Sequence, residues 1–298
     1  MKKIALIMAA LLLAVSLIAC NNTEADDNGS GSVADTKKDV KTLEVSGTKG
    51  ESEDIVTVGS ITYDDEKGKN VVITEYTANI ATEHTVKLVS KVVHDNTEYT
   101  VTKIGDEAFR FRASITKIEL PSTITHIGYQ AFAGCEGLTE IEIPASVKYI
   151  GNGAFAACTN LKTVTFAEGS QLVGIDAQAF ANCTSLENIT IPEGVETIGV
   201  GAFYNCASIT SLKTPSTLKS IDKGAFMGCT GLNQPGALDV SASVNIETKV
   251  ETVGGEKVEI VCLGEQIFGN INRDYIIVPE DKESEIYKYL FPQATEEK

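Results

Sequence analysis

Five of the seven cysteines in this 298-residue chain recur at nearly constant spacing, and a thiol can form a disulfide, bind a metal or pack. They are Cys135, Cys158, Cys183, Cys206 and Cys229. If each holds the same place in a repeated unit, neighbouring thiols lie about 5 Å apart, within reach of a disulfide bond. Their number is odd, however, and the Cys-x-x-Cys spacing typical of zinc sites does not occur. The pattern favours buried free thiols that act as small apolar side chains, with one or two disulfides as the alternative and no metal site.

The remaining residue types give little support for catalysis. Histidine occurs only at His84, His94 and His126, and none belongs to a His-Glu-x-x-His motif. The sequence also lacks a nucleophile elbow and a glycine-rich phosphate loop ending in Gly-Lys-Ser or Gly-Lys-Thr. In the repeat register described next, His126 falls beside Tyr149, which predicts a solvated surface pair. We therefore predict no catalytic residue, no metal ion and no cofactor.

One phrase, Ile-Gly-x-x-Ala-Phe, organises the middle of the chain. It appears six times, twice with Asp replacing Gly, at 104–109, 127–132, 150–155, 175–180, 198–203 and 221–226. The phenylalanines are 23, 23, 25, 23 and 23 residues apart. This regular spacing predicts a stack of repeats in which no single unit closes a core, and in which Phe, Leu, Ile and Cys form continuous buried columns.

Each unit also carries the signals of short strands. Alternating apolar pairs such as Ile141 and Ile143 are typical of a strand with one buried face. A proline such as Pro144 usually follows and ends the strand, because it cannot donate to a ladder. In the stretch Gly-x-x-Ala-Phe-x-x-Cys the apolar residues are spaced by three or four, which predicts a short helical turn.

The full consensus resembles a known repeat. Leu-x-x-Ile-x-Ile-Pro-x-x-Val-x-x-Ile-Gly-x-x-Ala-Phe-x-x-Cys is similar to the BspA-like leucine-rich repeat of bacterial surface proteins, over residues 101–232. The resemblance implies an α/β solenoid with a 23-residue period, short strands and short helical turns. Residues 54–100 predict a β-rich N-terminal cap, since they contain alternating segments such as 71–74 and 86–89.

The last part of the chain predicts a less regular end to the stack. Residues 233–298 contain an expected hairpin around Gly254-Gly255, then a degenerate copy of the repeat phrase at 263–268. A closing strand at 276–279 and a helix around 284–289 are similar to the C-terminal cap of the family. Terminal repeats are expected to be atypical because they must cover an open end.

The N-terminus resembles the signal peptide of a bacterial lipoprotein. Lys2 and Lys3 precede an apolar run that is short for a membrane span, and Leu17-Ile18-Ala19-Cys20 resembles the lipobox. By that resemblance residues 1–19 are removed and Cys20 becomes the lipidated N-terminus, with an uncleaved anchor helix as the alternative. Residues 20–53 are rich in Gly, Ser and charge, so they predict a disordered tether spanning roughly 30 Å as a random coil.

The negative charge of the chain argues against two classes of binding partner. Without Lys2 and Lys3 the chain has 23 basic and 41 acidic residues, so the formal charge changes from −16 to −18. Nucleic acid and anionic lipid are both repelled, so membrane attachment would come from acyl chains. The acidic residues that follow Cys20 are similar to signals that send some Bacteroides-type lipoproteins to the outer face, and ordinary linker acidity explains them equally well.

One surface emerges as the candidate for binding. In each strand the residues that flank the first buried apolar residue should point outward, and stacking should align them on one continuous face, called here the polar face. Its members are Lys117, Glu119, Glu140, Glu142, Thr163, Thr165, Asn188, Thr190, Ser211 and Lys213. Protein-binding hot spots favour Trp, Tyr and Arg, none of which occurs here, so the face either makes a broad, polar, salt-sensitive contact or only keeps the protein soluble. The two-residue insertion at Ala167–Gln171 is a second candidate.

The resemblance supplies the expected function. Members of the BspA-like family are associated with adhesion to host extracellular matrix proteins and with contact between bacteria. It implies a protein-binding module that is exported and lipid-anchored to the bacterial outer membrane or cell surface. A periplasm-facing envelope scaffold is the alternative, and an envelope enzyme is the least favoured function.

Overall fold

Short parallel strands stack along the chain, because each repeat adds one strand to each of two sheets. The computed structural model describes residues 60–63, 70–76, 84–94, 96–240, 248–253, 256–261 and 276–277. In chain order the strands are β1 Ser60–Tyr63, β2 Asn70–Glu75, β3 His84–Lys87, β4 Lys91–His94, β5 Thr97–Ile104, β6 Ile115–Glu119, β7 His126–Ile127, β8 Glu140–Ile143, β9 Tyr149–Ile150, β10 Thr163–Phe166, β11 Gly174–Ile175, β12 Asn188–Ile189, β13 Thr197–Ile198, β14 Leu212–Lys213, β15 Ser220–Ile221, β16 Leu238–Asp239, β17 Thr248–Val253, β18 Glu256–Val261 and β19 Ile276–Ile277.

Two parallel ladders form two walls of the solenoid. Sheet A has the order β12-β10-β8-β6-β3, and sheet B has the order β1-β2-β5-β7-β9-β11-β13-β15, with β4 also paired to β5. The register follows the repeat, so Ile118 pairs with Ile141 and Ile141 pairs with Val164. Equivalent residues of successive repeats therefore lie side by side, as the constant spacing predicts.

The interior consists of columns of identical residues. Phe109, Phe132, Phe155, Phe180, Phe203 and Phe226 are all buried. Their rings stack along the solenoid with centroids 5.1 to 5.6 Å apart. Tyr76 continues the column at its N-terminal end, with its ring centroid 5.2 Å from that of Phe109. A coil-to-coil spacing set by strand pairing thus also brings aromatic rings to stacking distance.

The Gly-x-x-Ala-Phe-x-x-Cys stretches form the third wall of the solenoid, called here the turn wall, and there the expectation of short helical turns is wrong. The described residues contain no α-helix, and the Gly-x-x-Ala-Phe-x-x-Cys stretch is a run of tight turns. Alternate amides bond within the coil, as Ala131 N–H does to the Gly128 carbonyl (3.3 Å). The amides between them bond to the next coil, as Phe132 N–H does to the Ala154 carbonyl (2.8 Å). Apolar residues spaced by three or four positions suit both a helix and a run of turns, which is why the sequence pattern indicated a helix.

Two left-handed residues in each coil stop a helix from forming. In the second coil they are Gln130 (φ 48°) and Gly134 (φ 70°), and the same two positions recur in all six coils. A right-handed helix needs negative φ throughout, so these residues turn every second amide out of the coil and along the solenoid axis. The repeat is therefore a parallel β-solenoid with a hydrogen-bonded turn wall, and the α/β description is wrong for the described residues.

The stack changes at its C-terminal end. A 3₁₀ turn at Thr230–Leu232 leads to β16, which pairs with β14, and β19 pairs in turn with β16. These three strands form a separate sheet C. The antiparallel pair β17–β18 brackets Gly254-Gly255. The pairing of β19 shows that Ile276 and Ile277 add one more strand to the stack.

Several predicted features lie outside the described residues. They are the signal peptide 1–19, the lipidation site Cys20, the tether 20–53, the degenerate repeat phrase at 263–268 and the closing helix around 284–289. Across the described parts of the chain, no helix combines the length and the apolar character that crossing a membrane requires.

Candidate functional site

The repeat cysteines serve packing. All five are buried free thiols. Each Sγ donates to the carbonyl of the phenylalanine one coil earlier, as Cys135 does to Phe109 at 3.1 Å and Cys229 does to Phe203 at 3.0 Å. Burial raises the pKa of the Cys135 and Cys229 thiols to about 12, and raises the pKa of the other three well above its ordinary value. A neutral, inaccessible thiol is a poor nucleophile and a poor metal ligand, so the packing interpretation is confirmed.

Arg112 explains why the first coil does without a cysteine. It holds the cysteine position of that coil, and its Nη2 donates to the Tyr76 carbonyl at 2.6 Å. Tyr76 stands in the phenylalanine column, so arginine makes the same contact that a thiol makes in the later coils. The guanidinium carbon also lies 5.9 Å from the centre of the Tyr76 ring. Arg112 therefore links the first full coil to the residues before it.

The described residues offer no candidate metal site. They contain no group of three or more His, Cys, Asp or Glu side chains placed to hold a metal ion. The predicted neighbours His126 and Tyr149 do meet, with ring centroids 5.1 Å apart and planes at 25°. Thr125 Oγ1 lies 2.8 Å from His126 Nδ1. This geometry fixes the orientation of the imidazole at the surface.

The structure places the polar face on sheet A and on its continuation. Nine of its ten members are exposed and Thr163 is half-buried. Lys117, Glu140, Thr163 and Asn188 lie side by side in register across β6, β8, β10 and β12. Glu142 and Thr165 form the neighbouring row. Strand alternation was sufficient to predict this arrangement, since the inward residues of these strands are buried.

Most of the charged side chains on this face form ion pairs between neighbouring coils. Lys117 Nζ lies 2.9 Å from Glu140, and Lys87 Nζ lies 3.6 Å from Glu119. The hydrogen bond to Glu140 raises the pKa of Lys117. Because both pairs are solvent-exposed, they contribute little to stability and are screened by salt. Glu142 forms no ion pair with a described residue, so it is the charge most available to a partner.

The expected continuity of the polar face is wrong at one point. Sheet A ends at β12, whereas Lys213 belongs to β14 of sheet C and Ser211 directly precedes that strand. Lys213 instead pairs with Asp239 of the following coil, at 3.4 Å. Of the ten residues, seven thus lie on strands of sheet A, Lys213 lies on sheet C, and Thr190 and Ser211 lie just outside the strands.

Exposed aromatic side chains lie elsewhere, and sequence reasoning indicated only Tyr149 among them. Phe111 is 60% exposed and Tyr129 is 45% exposed, both on the turn wall. Tyr149 is 40% exposed on sheet B, beside Val173 of the next coil at 41%. The signal was present in the sequence for Phe111, since the later coils have Gly, Ala or Asn at its position. Exposed aromatic residues are the usual anchors of binding surfaces.

Phe111 is also held in an unusual backbone conformation. Its φ is 59°, a left-handed value that costs an ordinary side chain roughly 1–2 kcal/mol. The same position in later coils holds Gly134, Ala157, Asn182, Asn205 and Gly228. The Arg110 guanidinium lies over the ring at 4.7 Å, and Arg110 pairs with Glu107 at 2.7 Å. Because every coil has a left-handed residue at this position, the conformation belongs to the fold, and the exposed, braced ring is what distinguishes Phe111.

The insertion loop Ala167–Gln171 joins β10 to β11. Glu168 and Gly169 are exposed at its tip, where Gly169 has φ 75° and open space around it. The loop is tied back by the Gln171 amide, which donates to the Ala145 carbonyl of the preceding coil at 2.8 Å. The insertion therefore projects at the corner between the two sheets without disturbing their register.

Comparison with known proteins agrees with this architecture. A family model described as BspA type leucine rich repeat region matches residues 102–233 in six copies. No curated protein matches the chain. The solved leucine rich repeat protein of T. pallidum is 31% identical, with 61% of this chain and 81% of that chain covered and a TM-score of 0.53. A leucine rich cell surface protein of Faecalibacterium prausnitzii A2-165 is 25% identical, with 72% and 59% covered and a TM-score of 0.48.

Proteins built from this repeat are generally protein-interaction or surface-associated modules, and generally not enzymes. The matched repeats coincide with the coils whose Phe and Cys columns are described above. On these grounds the chain belongs to the BspA-type leucine-rich repeat family.

Proposed function

We propose that this chain is a lipid-anchored cell-surface module that binds proteins in the manner of an adhesin, through its polar face. The observation that carries the proposal is the alignment of exposed side chains in register across β6, β8, β10 and β12. The membership of the chain in a family of surface-associated interaction modules supports the same conclusion.

The chemistry of the face favours a broad contact with a folded partner. Four neighbouring strands spaced by about 4.8 Å present a flat surface of roughly 15 Å across the strands. The N-terminal side of this surface carries the charged residues Lys117, Glu119, Glu140 and Glu142. The C-terminal side carries the uncharged polar residues Thr163, Thr165, Asn188 and Thr190. Such a surface recognises a partner through many polar contacts rather than through one deep pocket. Host extracellular matrix proteins and the surfaces of other cells are the partners that we propose.

Attachment to the membrane rests on the N-terminal sequence. The lipobox-like Leu17-Ile18-Ala19-Cys20 supports lipidation of Cys20, and residues 20–53 would then separate the repeats from the membrane. The acidic character of the chain supports the same route, because an anionic bilayer repels it unless acyl chains supply the affinity.

The location can be tested on intact cells that express the full chain. Protease is added from outside, and the repeats are detected with an antibody against residues 101–232, with a cytoplasmic protein as control. Loss of the repeat signal while the control survives is the expected result. Full protection of the repeats would overturn the surface location and favour the periplasm-facing scaffold.

The binding face can be tested with one charge reversal and a matched control. Glu142→Lys alters a charge of the polar face that has no ion pair among the described residues. Glu136→Lys makes the same charge change on the exposed turn wall. Titration of the full chain against immobilised matrix proteins should show weaker binding, by roughly tenfold, for Glu142→Lys only. Equal binding by both variants would exclude the polar face as the contact surface.

A further inference from the structure

The middle of the turn wall carries no charge at its variable positions. In each Gly-x-x-Ala-Phe-x-x-Cys stretch the Ala and Phe are buried, so the two residues before them and the two after them form the outer side. In the second to fifth coils these residues are 129–130, 133–134, 152–153, 156–157, 177–178, 181–182, 200–201 and 204–205, and none of them is charged. Charged residues make up 22% of the chain, whose formal net charge is −16. The turn wall is therefore a surface on which another acidic molecule meets no local repulsion.

Most of this wall is flat, because long side chains lie over the glycines of the next coil. A Cβ atom placed on Gly134 would meet the Phe111 ring at 2.4 Å. A Cβ atom placed on Gly153 would meet Gln130 Cγ at 3.1 Å. In the third coil Ala156 and Ala157 are closed off by their neighbours and are only 2% and 7% exposed. Two flat surfaces of this kind can approach each other closely along their whole length.

One row projects from the wall, and it is called here the edge row. Its members are the residues that follow Ile-Gly or Ile-Asp in the six coils, namely Asp106, Tyr129, Asn152, Ala177, Val200 and Lys223. The row is in register, because the amide after each member donates to the carbonyl of the next, as Glu107 N–H does to Tyr129 and Gln178 N–H does to Val200, both at 2.8 Å. Tyr129 is 45% exposed and Val200 is 48% exposed, so two apolar side chains of the row face water.

The edge row is complementary to itself when one copy of it is reversed. Reversal places Tyr129 opposite Val200, so the exposed apolar members meet. It also places Asp106 opposite Lys223, so opposite charges meet, and neither residue forms an ion pair within the described part of the chain. The two central members are small and uncharged. Such a pattern is what a two-fold axis requires, because that axis brings residue i of one copy to residue j of the other, and j to i.

We propose that two copies of this chain pair through their turn walls, in antiparallel orientation, about a two-fold axis between the third and fourth coils. The pairing makes two contacts between Tyr129 and Val200 and two ion pairs between Asp106 and Lys223. It also places the exposed face of Phe111 against Gly228 of the second copy, so this ring leaves water as well. A second copy fits better than an unrelated protein, because the complement of each projecting residue is already present on the same wall.

The size of the wall sets the expected strength of the dimer. Six coils spaced by about 4.8 Å give a contact roughly 24 Å long and 10 Å wide. Each copy therefore buries less surface than the roughly 800 Å² per partner of a stable complex. We expect a weak dimer, with a Kd of roughly 10–100 µM.

The pairing does not depend on the proposed function. The polar face lies on sheet A and its continuation, whereas the dimer contact lies on the turn wall, so both polar faces remain open. A dimer presents two such faces at once, and a partner with repeated binding sites is then held more tightly than by one copy.

Sedimentation velocity of the full chain tests the pairing, at concentrations from about 5 to about 300 µM. We expect the average mass to rise from that of one copy toward that of two. Val200→Asp puts a carboxylate against the Tyr129 ring and should weaken dimerisation by at least roughly tenfold. Val173→Asp makes the same change at a valine that is 41% exposed beside sheet B, and it should dimerise as the parent does. The melting temperatures of both variants show that each is folded.

A charge exchange tests the antiparallel register. Lys223→Asp brings two carboxylates together and should weaken the dimer by roughly threefold to tenfold. Adding Asp106→Lys to that variant restores opposite charges and should recover most of the affinity. The recovery cannot arise within one copy, because five coil spacings of about 4.8 Å separate the two residues.

Three results would overturn the proposal. The first is a chain that sediments as a monomer at the highest concentration. The second is equal dimerisation of Val200→Asp and Val173→Asp, which would exclude the turn wall as the contact. The third is a double variant that dimerises no better than Lys223→Asp alone, which would exclude the antiparallel pairing of the edge rows.

Discussion

The buried columns and the polar face are built from the same coils, yet they follow opposite rules. In the columns, one residue type recurs in coil after coil, as Phe132, Phe155 and Phe180 do. On the polar face the residue changes from coil to coil, from Lys117 to Glu140 to Thr163. Close packing restricts an interior position to one size and shape, while water accepts almost any polar side chain. Stability is therefore concentrated in what repeats, and recognition in what varies.

The largest effect should come from the centre of the phenylalanine column. Phe155→Ala removes a ring that is stacked at 5.2 Å on both sides, and the neighbouring coils cannot close the cavity. We expect the free energy of unfolding to fall by roughly 3–5 kcal/mol, measured by urea denaturation. Asn188→Ala on the polar face serves as the exposed control. A similar loss for both variants would contradict the division between columns and surface.

The cysteine column should make stability depend on pH in the alkaline range. Burial raises the pKa of Cys135 in the folded chain to about 12 from an ordinary 9.0, so the unfolded chain loses the proton first. The stabilisation is complete below pH 9.0 and is lost progressively as the pH rises toward about 12. Urea denaturation between pH 7 and 11 should show this decline. A chain with all five thiols replaced by alanine should show a smaller decline over the same range.

Two opposite substitutions sharpen the comparison on the turn wall. Gly134→Ala places a Cβ 2.4 Å from the Phe111 ring at a φ of 70°, so the free energy of unfolding should fall by roughly 1–3 kcal/mol. Ala157→Gly, at φ 58° one coil later, relieves the same left-handed conformation and should raise the free energy of unfolding by up to about 1 kcal/mol. Thermal unfolding of both variants measures the difference. The same sign for both would refute the left-handed turn as the cause.

The smallest effect should come from an ion pair on the polar face. Lys117→Ala breaks the exposed contact with Glu140, and the change in stability should be smaller than any described above. Whatever change occurs should disappear when denaturation is repeated at about 1 M salt, where charges are screened within about 3 Å. A loss comparable to that of Phe155→Ala would mean that the surface shares in holding the coils together.

Local pattern was sufficient for much of the fold and for the placement of the polar face. The 23-residue spacing located the columns, and strand alternation separated Ile141 from its exposed neighbours Glu140 and Glu142. The sequence pattern failed for the turn wall, because a helix and a run of turns both space their apolar residues by three or four positions. The sequence pattern also failed for the exposed Phe111, since burial of that ring depends on which side chains occupy the neighbouring coil.

By itself, the sequence determined the period, the residues that face inward and the family, because each follows from a pattern repeated six times along the chain. Only the tertiary structure decided the direction of the turn-wall amides and the break between sheets A and C. Both depend on contacts between residues more than 20 positions apart, such as Phe132 with Ala154 or Leu212 with Leu238. A repeat fixes what every coil has in common, whereas the differences between adjacent coils acquire a meaning only when the coils are stacked.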